Sequence, residues 1–382
     1  MPSPPSRSAT RLSIAAIFFV HGIIQGSWVP HIPLAQARLG LDLATFGWAL
    51  LTLACGAVGA MPATGALINR YGSTPVTAAT AILFCLAFAL PVTAPNVPLF
   101  ILGLAVFGIG IGSMDVAMNA QGLAFETDTR RPVMSFFHGT YSVGAMTGAA
   151  LSAVLLTHLS EGAHATAVIA ASLAALAVVL QFLLPADIDR GGGGTHFAWP
   201  TRATIGLGSL CFLVLMSEGA VLDWSAIHLK STFGLQAHVA ALGYAMFAGG
   251  MAVARFTGDH LRATFGSVAL VRWSAVLSAA GLAGALLIPS PAFAIAAYAL
   301  GGLGVGNIVP VLFGGGGRLE PDAPGRGIAA VVAMGYAGFV AGPPFIGMVA
   351  ESAGLSIALG VTVVASLVIV AASRVARAAD LT

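Results

Sequence analysis

The stretch FGIGIGSMDVAMNAQGLAFE, residues 107–126, has a counterpart in GGLGVGNIVPVLFGGGGRLE, residues 301–320, at a constant offset of 194 residues. Three alternate glycines and a closing glutamate coincide in the two stretches. Each run is mostly apolar over about 20 residues, which is the length of a helix that crosses a bilayer. The chain is therefore predicted to contain the same membrane-spanning unit twice.

A second match supports the repeat. HGIIQGSW, residues 21–28, aligns with EGAVLDW, residues 218–224, with one residue of slip, so that Gly22 meets Gly219 and Trp28 meets Trp224. Equivalent spans run in the same direction, which indicates a parallel repeat about an axis along the membrane normal. The glycines are predicted to let helices approach closely in lipid.

Composition agrees with a membrane protein. The mean hydropathy is +0.93 and 58% of residues are hydrophobic, against about 45–50% in soluble domains. Twelve apolar runs emerge, and the predicted fold is an all-α integral membrane protein with two pseudo-symmetric six-helix bundles. The predicted domains are residues 1–185, a cytoplasmic linker at 186–201, and residues 202–382.

Lys and Arg are distributed unevenly over the loops of this topology. Of the 16 Lys and Arg residues, all but Arg38 and Lys230 fall on one side. Positive residues concentrate on the cytoplasmic side of membrane proteins. Both termini are therefore predicted to be cytoplasmic, in a multi-pass protein of the bacterial inner (plasma) membrane.

With two six-helix bundles, the chain resembles the major facilitator superfamily. The loop between spans two and three of that family carries a gating motif. GALINRYGST, residues 65–74, matches that motif at three positions, but Asn69 replaces its acid, and Ser73 and Thr74 replace its basic pair. ARFTGDHLRATFG, residues 254–266, is the counterpart in the second half. The predicted gating residues are Gly65, Asn69, Arg70, Gly72, Gly258 and Asp259.

A narrower resemblance rests on GSWVPHIP (26–33), DVAMNAQ (115–121), RPVMSFFHGTYSVGA (131–145) and EGAVLDWSA (218–226). Together these stretches are similar to a bacterial subgroup that includes the MosC-like proteins, which are linked to uptake of a methylated inosamine. The resemblance to the superfamily implies that spans one, four, seven and ten line a central cavity. Predicted substrate-binding residues on these spans are His21, Gln25, Trp28, Asn119, Asp223, Trp224 and Asn307.

Two acids are predicted to couple transport to protons, namely Asp115 and Glu218. An ionised carboxylate at mid-membrane costs about 2.5–3.5 kcal/mol, so it normally faces a wet cavity or a partner. Arg255 is placed near a cytoplasmic end, so an ion pair with a fixed cation is not expected. The acids are instead protonated part of the time, paired with His21 or His138, or matched by a cationic substrate. Anionic cargo is disfavoured because it usually needs a fixed cation.

The remaining polar residues receive simpler interpretations. Asp223 is predicted to lie near the membrane interface, where solvation is easy. Four histidines are predicted to be solvated near the outer surface: His158, His164, His228 and His238. Cys55, Cys85 and Cys211 are predicted to be small core residues, because their spacing fits neither disulfides nor a zinc site.

The predicted function is proton-coupled symport of a small polar solute, neutral or cationic, of the sugar, cyclitol or amino-cyclitol type, by alternating access. The alternative is a proton-coupled efflux antiporter for amphipathic cations or drugs, which AGPPFIG, residues 341–347, favours because it resembles an antiporter motif. A sodium site at Asp115 and Asn119 and a solute sensor without transport also stay open.

No ATP-binding loop, metal-ligand cluster or nucleophile-base pair is visible in the sequence. An enzyme, a cofactor, a metal and a nucleic-acid partner are therefore not predicted. The expected partners are the solute, the coupling ion and the lipid bilayer, and the expected state is a monomer.

Overall fold

The structure, a computed structural model, describes residues 6–186, 188, 198–320 and 322–380. Helices account for all of the regular structure in these ranges, without strands. The first half contains α1 (Arg7–Trp28), α2 (His31–Leu39), α3 (Leu43–Tyr71), α4 (Ser73–Ala87), α5 (Ala89–Thr93), α6 (Val97–Thr129), α7 (Met134–Leu155) and α8 (Glu161–Val179). The second half contains α9 (Ile205–Phe233), α10 (Ala237–Ala240), α11 (Leu242–Leu287), α12 (Pro291–Val305), α13 (Ile308–Leu319), α14 (Pro324–Ala353) and α15 (Leu355–Ala372).

Ten helical segments of the described residues are long and apolar enough to cross a membrane. One of them, Ala237–Leu287, contains Gly266 in a non-helical conformation and comprises two spans, eight and nine. α7 is not among the ten but is 22 residues long, which suffices for a span. The helices are therefore consistent with the twelve predicted spans.

Two spans are interrupted, and a proline accounts for each break. Span three divides into α4 and α5 at Phe88, and span ten divides into α12 and α13 at Gly306 and Asn307. Proline lacks the N–H that would bond to the carbonyl four residues earlier. Pro91 and Pro310 each lie three or four residues after a break, so the carbonyls at the breaks lose their helical partners.

The alternate glycines of α6, and those of α12 together with Gly306 directly after it, are packing residues, as the sequence predicted. A Cβ added at any of them would overlap or crowd a neighbouring helix, so each one permits a close crossing. The neighbours repeat at the same offset of 194 residues as the glycines. The paired contacts are Gly108 with Leu53 and Gly302 with Phe247, Gly110 with Phe84 and Gly304 with Ser278, and Gly112 with Ala57 and Gly306 with Met251.

The chain divides into two compact units. One comprises Met1–His31 and Thr52–Gly193, and the other comprises Ile32–Leu51 and Gly194–Thr382. These units differ from the predicted domains chiefly by the segment 32–51, which belongs to the second unit. Most of the predicted linker, 186–201, lies outside the described residues.

Within the second unit, the segment 32–51 contacts α9 and α14. The backbone N–H of Leu43 donates to the Glu351 carboxylate at 3.0 Å, and Lys230 Nζ donates to the Pro33 carbonyl at 3.3 Å. A Cβ added at Gly47 would lie 2.6 Å from the Pro343 carbonyl oxygen. The first turns of α3 therefore pack directly on the backbone of α14.

Candidate functional site

In the first unit, His21 lies among aromatic and sulfur-containing side chains at the middle of α1. Its Nδ1 is 3.2 Å from the Met118 sulfur, and its ring meets Phe84 edge-on at 4.7 Å. The side chain is buried, and its Nε2 has no hydrogen-bond partner among the described residues. His21 therefore retains one unused polar atom inside the bundle.

Gln25 lies one turn further along α1 and is half-buried. Its side-chain oxygen accepts a hydrogen bond from the Tyr141 hydroxyl of α7. Sequence reasoning missed Tyr141, because nothing in the spacing of residues 25 and 141 indicates that they meet. A polar patch from two helices thus includes Gln25, Tyr141 and the neighbouring His21 ring, 5.5 Å from the tyrosine ring.

Asp115 and Asn119 form a local pair on α6, as their spacing of four residues predicts. Asn119 Nδ2 donates to the Asp115 backbone carbonyl at 2.8 Å and to its carboxylate at 3.2 Å. Both side chains are half-buried. The amide therefore supplies a donor to the carboxylate from within the same helix.

The two tryptophans that match across the repeat are both buried. Trp28 is 2% exposed and packs against the rings of Phe100 and Phe107, while Trp224 is 0% exposed and meets the Phe46 ring at 6.3 Å. Each indole N–H lacks a hydrogen-bond partner among the described residues. The pair therefore shares both a position in the repeat and an unsatisfied donor.

Glu218 has a fixed cationic neighbour, which corrects the expectation from the sequence. Arg255 Nη2 lies 3.6 Å from Glu218 Oε1, and both side chains are largely buried. The sequence analysis placed Arg255 near the cytoplasmic end of its span. The helix continues to Gly266, which is 11 residues beyond Arg255. The backbone of Arg255 therefore lies about 16 Å from that end of the helix.

Asp223 is also buried more deeply than the sequence predicted. It is 9% exposed on α9, so the expectation of easy solvation at the interface is wrong. It follows Gly219, whose Cα faces the Phe339 ring of α14. A tight crossing of α9 and α14 explains how an acid one turn further out remains covered.

Asn307 lies at the break between α12 and α13 and is buried. Its side-chain oxygen occupies the space that a Cβ would take at Gly258 of α11. Gly258, predicted as a gating residue, therefore accommodates the amide of a predicted substrate-binding residue.

The other predicted gating residues lie near the end of α3, at Gly72 between α3 and α4, and in α11 before the non-helical Gly266. Gly65 is buried, Asn69 is half-buried, and Arg70 and Asp259 are exposed. Gly72 has φ 82° and ψ 161°, and an added Cβ would overlap the Ala186 carbonyl oxygen. The glycine of this motif is thus required by both conformation and space.

Ser73 and Thr74, which depart from the family's basic pair, bind one amide. Gln121 Nε2 donates to Ser73 Oγ at 2.6 Å and to Thr74 Oγ1 at 2.8 Å. The Gln121 oxygen accepts from the Leu184 backbone N–H at 3.3 Å. Gln121, another residue that sequence reasoning missed, therefore joins α4, α6 and the segment after α8.

Comparison with known proteins identifies the family. The chain is 34% identical over 378 residues to an uncharacterized MFS-type transporter of Yersinia pestis, covering 98% of this chain and 96% of that protein. The chain belongs to the major facilitator superfamily. The family model, Major Facilitator Superfamily, matches residues 14–197. The protein is therefore a multi-pass transporter of the bacterial plasma membrane and not an enzyme.

Two further comparisons agree with this assignment. The membrane protein MosC of Rhizobium meliloti is 32% identical over 378 residues, with 97% of this chain and 90% of MosC covered. A crystal structure of a variant of the nucleoside transporter NupG superimposes with a TM-score of 0.73 at 14% identity, covering 96% of this chain and 99% of that one. The NupG likeness establishes the fold alone.

Proposed function

We propose that this transporter moves a small polar solute, neutral or cationic, together with protons by alternating access. The cargo class is a sugar, cyclitol or amino-cyclitol, and the direction is uptake across the inner membrane, with both termini in the cytoplasm. His21, Gln25, Trp28, Asn119, Asp223, Trp224 and Asn307 bind the solute, and Asp115 and Glu218 bind the proton. The protein acts as a monomer.

The balance of buried charge carries this proposal. Among the described residues, Arg255 is the one buried Lys or Arg side chain, and it lies beside Glu218. Asp223 is a buried acid, and the half-buried Asp115 receives a neutral amide. An anionic solute would meet acids in excess of bases, whereas a cationic or hydroxyl-rich solute would be favoured.

Unsatisfied polar atoms support a polar cargo. Buried polar atoms in native proteins nearly always have hydrogen-bond partners. His21 Nε2, Trp28 Nε1 and Trp224 Nε1 have none among the described residues, and all three belong to the proposed binding set. Hydroxyl groups of a solute, or water that accompanies it, both accept and donate, so they supply partners for the two indole N–H groups and for the histidine nitrogen.

The ion pair in the second unit supports a coupling mechanism. An ionised Glu218 attracts Arg255, whereas a protonated Glu218 does not. Proton binding therefore releases the guanidinium, and the return of the guanidinium favours release of the proton. This exchange links protonation to a rearrangement between α9 and α11.

A proton is favoured over sodium at Asp115. The Asn119 Nδ2 lies against two acceptors, the carbonyl and the carboxylate of Asp115. The amide thus presents its donor to the acid, and a sodium ion would require an oxygen in that position.

The test uses purified protein in proteoliposomes with an internal pH indicator. Sugars, cyclitols, amino-cyclitols and lipophilic cations are added in turn to wild type, Asp115→Asn and Glu218→Gln. A solute-dependent entry of protons that either substitution abolishes supports symport. Proton exit driven by lipophilic cations would establish the antiport alternative, and solute movement without protons would refute coupling.

A further inference from the structure

A chain of four polar side chains lies at the end of the first unit where α8 begins. Glu161 Oε2 is 3.4 Å from His31 Nδ1, and His31 Nε2 is 3.0 Å from His164 Nδ1. His164 Nε2 is in turn 2.9 Å from Ser152 Oγ of α7. The chain joins the start of α2 to α8 and α7.

These side chains are buried, with one exception. The side chains of His31 and His164 are fully buried, and Glu161 retains 30% exposure. The expectation that His164 is solvated is therefore wrong. Glu161 is therefore the member of these four side chains that contacts the surface.

Hydrogen-bond direction can be assigned from the far end of the chain. Ser152 Oγ lies 2.7 Å from the Gly148 carbonyl oxygen, so its single hydroxyl proton must point there. Ser152 therefore accepts from His164 Nε2–H. A neutral His164 then has an unprotonated Nδ1, which accepts from His31 Nε2–H.

With the hydrogen bonds in this direction, the contact between His31 Nδ1 and Glu161 Oε2 has no proton to share. A neutral His31 that donates through Nε2 presents a lone pair at Nδ1, facing an ionised carboxylate of Glu161. Two acceptors at this distance repel, whereas one added proton converts the contact into a charge-assisted hydrogen bond. The arrangement is satisfied when His31 and Glu161 share one proton.

The second unit contains a histidine in the corresponding place that needs no added proton. His228 follows Trp224 by four residues, as His31 follows Trp28 by three. Tyr298 OH is 3.3 Å from His228 Nδ1, and His228 Nε2 is 3.2 Å from Ser356 Oγ. A neutral ring accepts from the tyrosine and donates to the serine, so both contacts are satisfied.

We propose that His31 and Glu161 form a proton-binding site of the first unit, separate from the acids proposed to couple transport. The bound proton stabilises the contact between Glu161, at the start of α8, and His31. His31 is the last residue before the polypeptide enters the second unit. The groups that face His31 include Glu161 and His164 from α8 and the uncharged ring of Phe88 at the bend before α5.

A proton bound at this site should make the stability of the folded protein depend on pH. A proton held by the folded protein and released on unfolding adds stability at low pH, and this stability disappears as the pH rises. The Glu161→Gln variant supplies an amide N–H to a neutral His31 and keeps the hydrogen bond without the proton. The His228→Gln variant keeps both contacts of a site that we expect to be neutral.

The experiment measures thermal unfolding of the detergent-purified protein from roughly pH 5 to pH 9, the range in which histidines titrate. We expect the wild-type midpoint to fall by on the order of 2 °C or more as the pH rises. Glu161→Gln should flatten or reverse this dependence, whereas His228→Gln should not weaken it, because a histidine that is neutral in the folded protein contributes stability that rises with pH. An unchanged slope in Glu161→Gln would overturn the proposal.

A second measurement observes the protonation of the His31 ring in the wild type directly. In ¹⁵N-histidine spectra of the wild type, the signals of His31 are assigned through their loss in His31→Gln. We expect a doubly protonated ring at low pH that loses one proton on alkalinisation. A ring that stays neutral throughout, as in a chain of reversed hydrogen bonds, would refute the site without bearing on transport.

Discussion

Gly72 and Gly266 are 194 residues apart and have nearly the same backbone conformation, φ 82° and ψ 161° at the first and φ 77° and ψ 164° at the second. Each glycine ends one span and starts the next in its own unit. This region of conformational space is essentially restricted to glycine. The repeat is therefore preserved at the level of single dihedral angles.

The two glycines differ in their surroundings, which allows a matched prediction. An alanine at either position is strained by about 1–3 kcal/mol. Gly72→Ala would also drive its Cβ into the Ala186 carbonyl, whereas the nearest atom to a Cβ at Gly266 is Asp380 Oδ2 at 3.7 Å. We expect Gly72→Ala to lower the thermal midpoint clearly more than Gly266→Ala.

The control is Gly59→Ala, because Gly59 lies within α3 with open space around it. Alanine there should raise stability by about 0.5–1 kcal/mol through helix propensity. Equal losses at positions 72 and 266 would show that the contact with Ala186 does not matter.

A second prediction concerns Gln121, whose amide joins α4, α6 and Leu184. Gln121→Leu leaves the buried Ser73 hydroxyl and the Leu184 N–H without this partner. Leaving buried polar groups unsatisfied costs about 1–3 kcal/mol each. We expect a reduced free energy of unfolding, measured in detergent by chemical or thermal denaturation.

Gln181→Leu is the matched control, because the exposed Gln181 amide donates to Ala177 in its own helical segment. It should change stability by less than about 0.5 kcal/mol. A comparable loss in both variants would contradict the role assigned to Gln121.

The fold could be read from the sequence because lipid imposes simple rules. Spans need long apolar runs, and close crossings need small residues, so Gly108 and Gly302 indicated the repeat before their contacts with Leu53 and Phe247 were known. Local pairs were predictable from the helical repeat, since Asp115 and Asn119 are four residues apart in one helix.

Long-range polar contacts were not predictable. The sequence TGDH, residues 257–260, resembles the start of a loop, although the helix continues through it to Phe265. Moving that boundary places the guanidinium beside Glu218. The contact between His31 and His164 joins residues 133 positions apart, and no periodicity connects them.

A third prediction tests whether Glu218 and Arg255 act as a pair. Removing one partner of a buried ion pair costs about 3–5 kcal/mol, because it leaves the other charge uncompensated. Glu218→Gln and Arg255→Gln should each destabilise the protein, and the double variant should be less destabilised than the sum of the two. Thermal or chemical unfolding of all four proteins gives the coupling free energy.

The exposed pair Arg7 and Asp128 provides the comparison. Its atoms are 3.5 Å apart, but the side chains are 74% and 42% exposed. Such pairs contribute about 0.2–1 kcal/mol at most. Additive losses at positions 218 and 255, as at positions 7 and 128, would exclude a buried interaction.

The final prediction concerns the unsatisfied indoles of Trp28 and Trp224. If each N–H donates to the transported solute, replacement by phenylalanine removes one hydrogen bond of about 0.5–1.5 kcal/mol and raises the dissociation constant roughly 2- to 10-fold. Binding is measured by calorimetry or by tryptophan fluorescence, with the solute that drives proton movement in proteoliposomes.

Trp48→Phe is the control, because Trp48 is 51% exposed. Thermal midpoints separate a lost hydrogen bond from a lost packing contact, since truncating a buried ring destabilises the protein whether or not solute is present. Unchanged affinity in both Trp28→Phe and Trp224→Phe would assign the two indoles to packing alone.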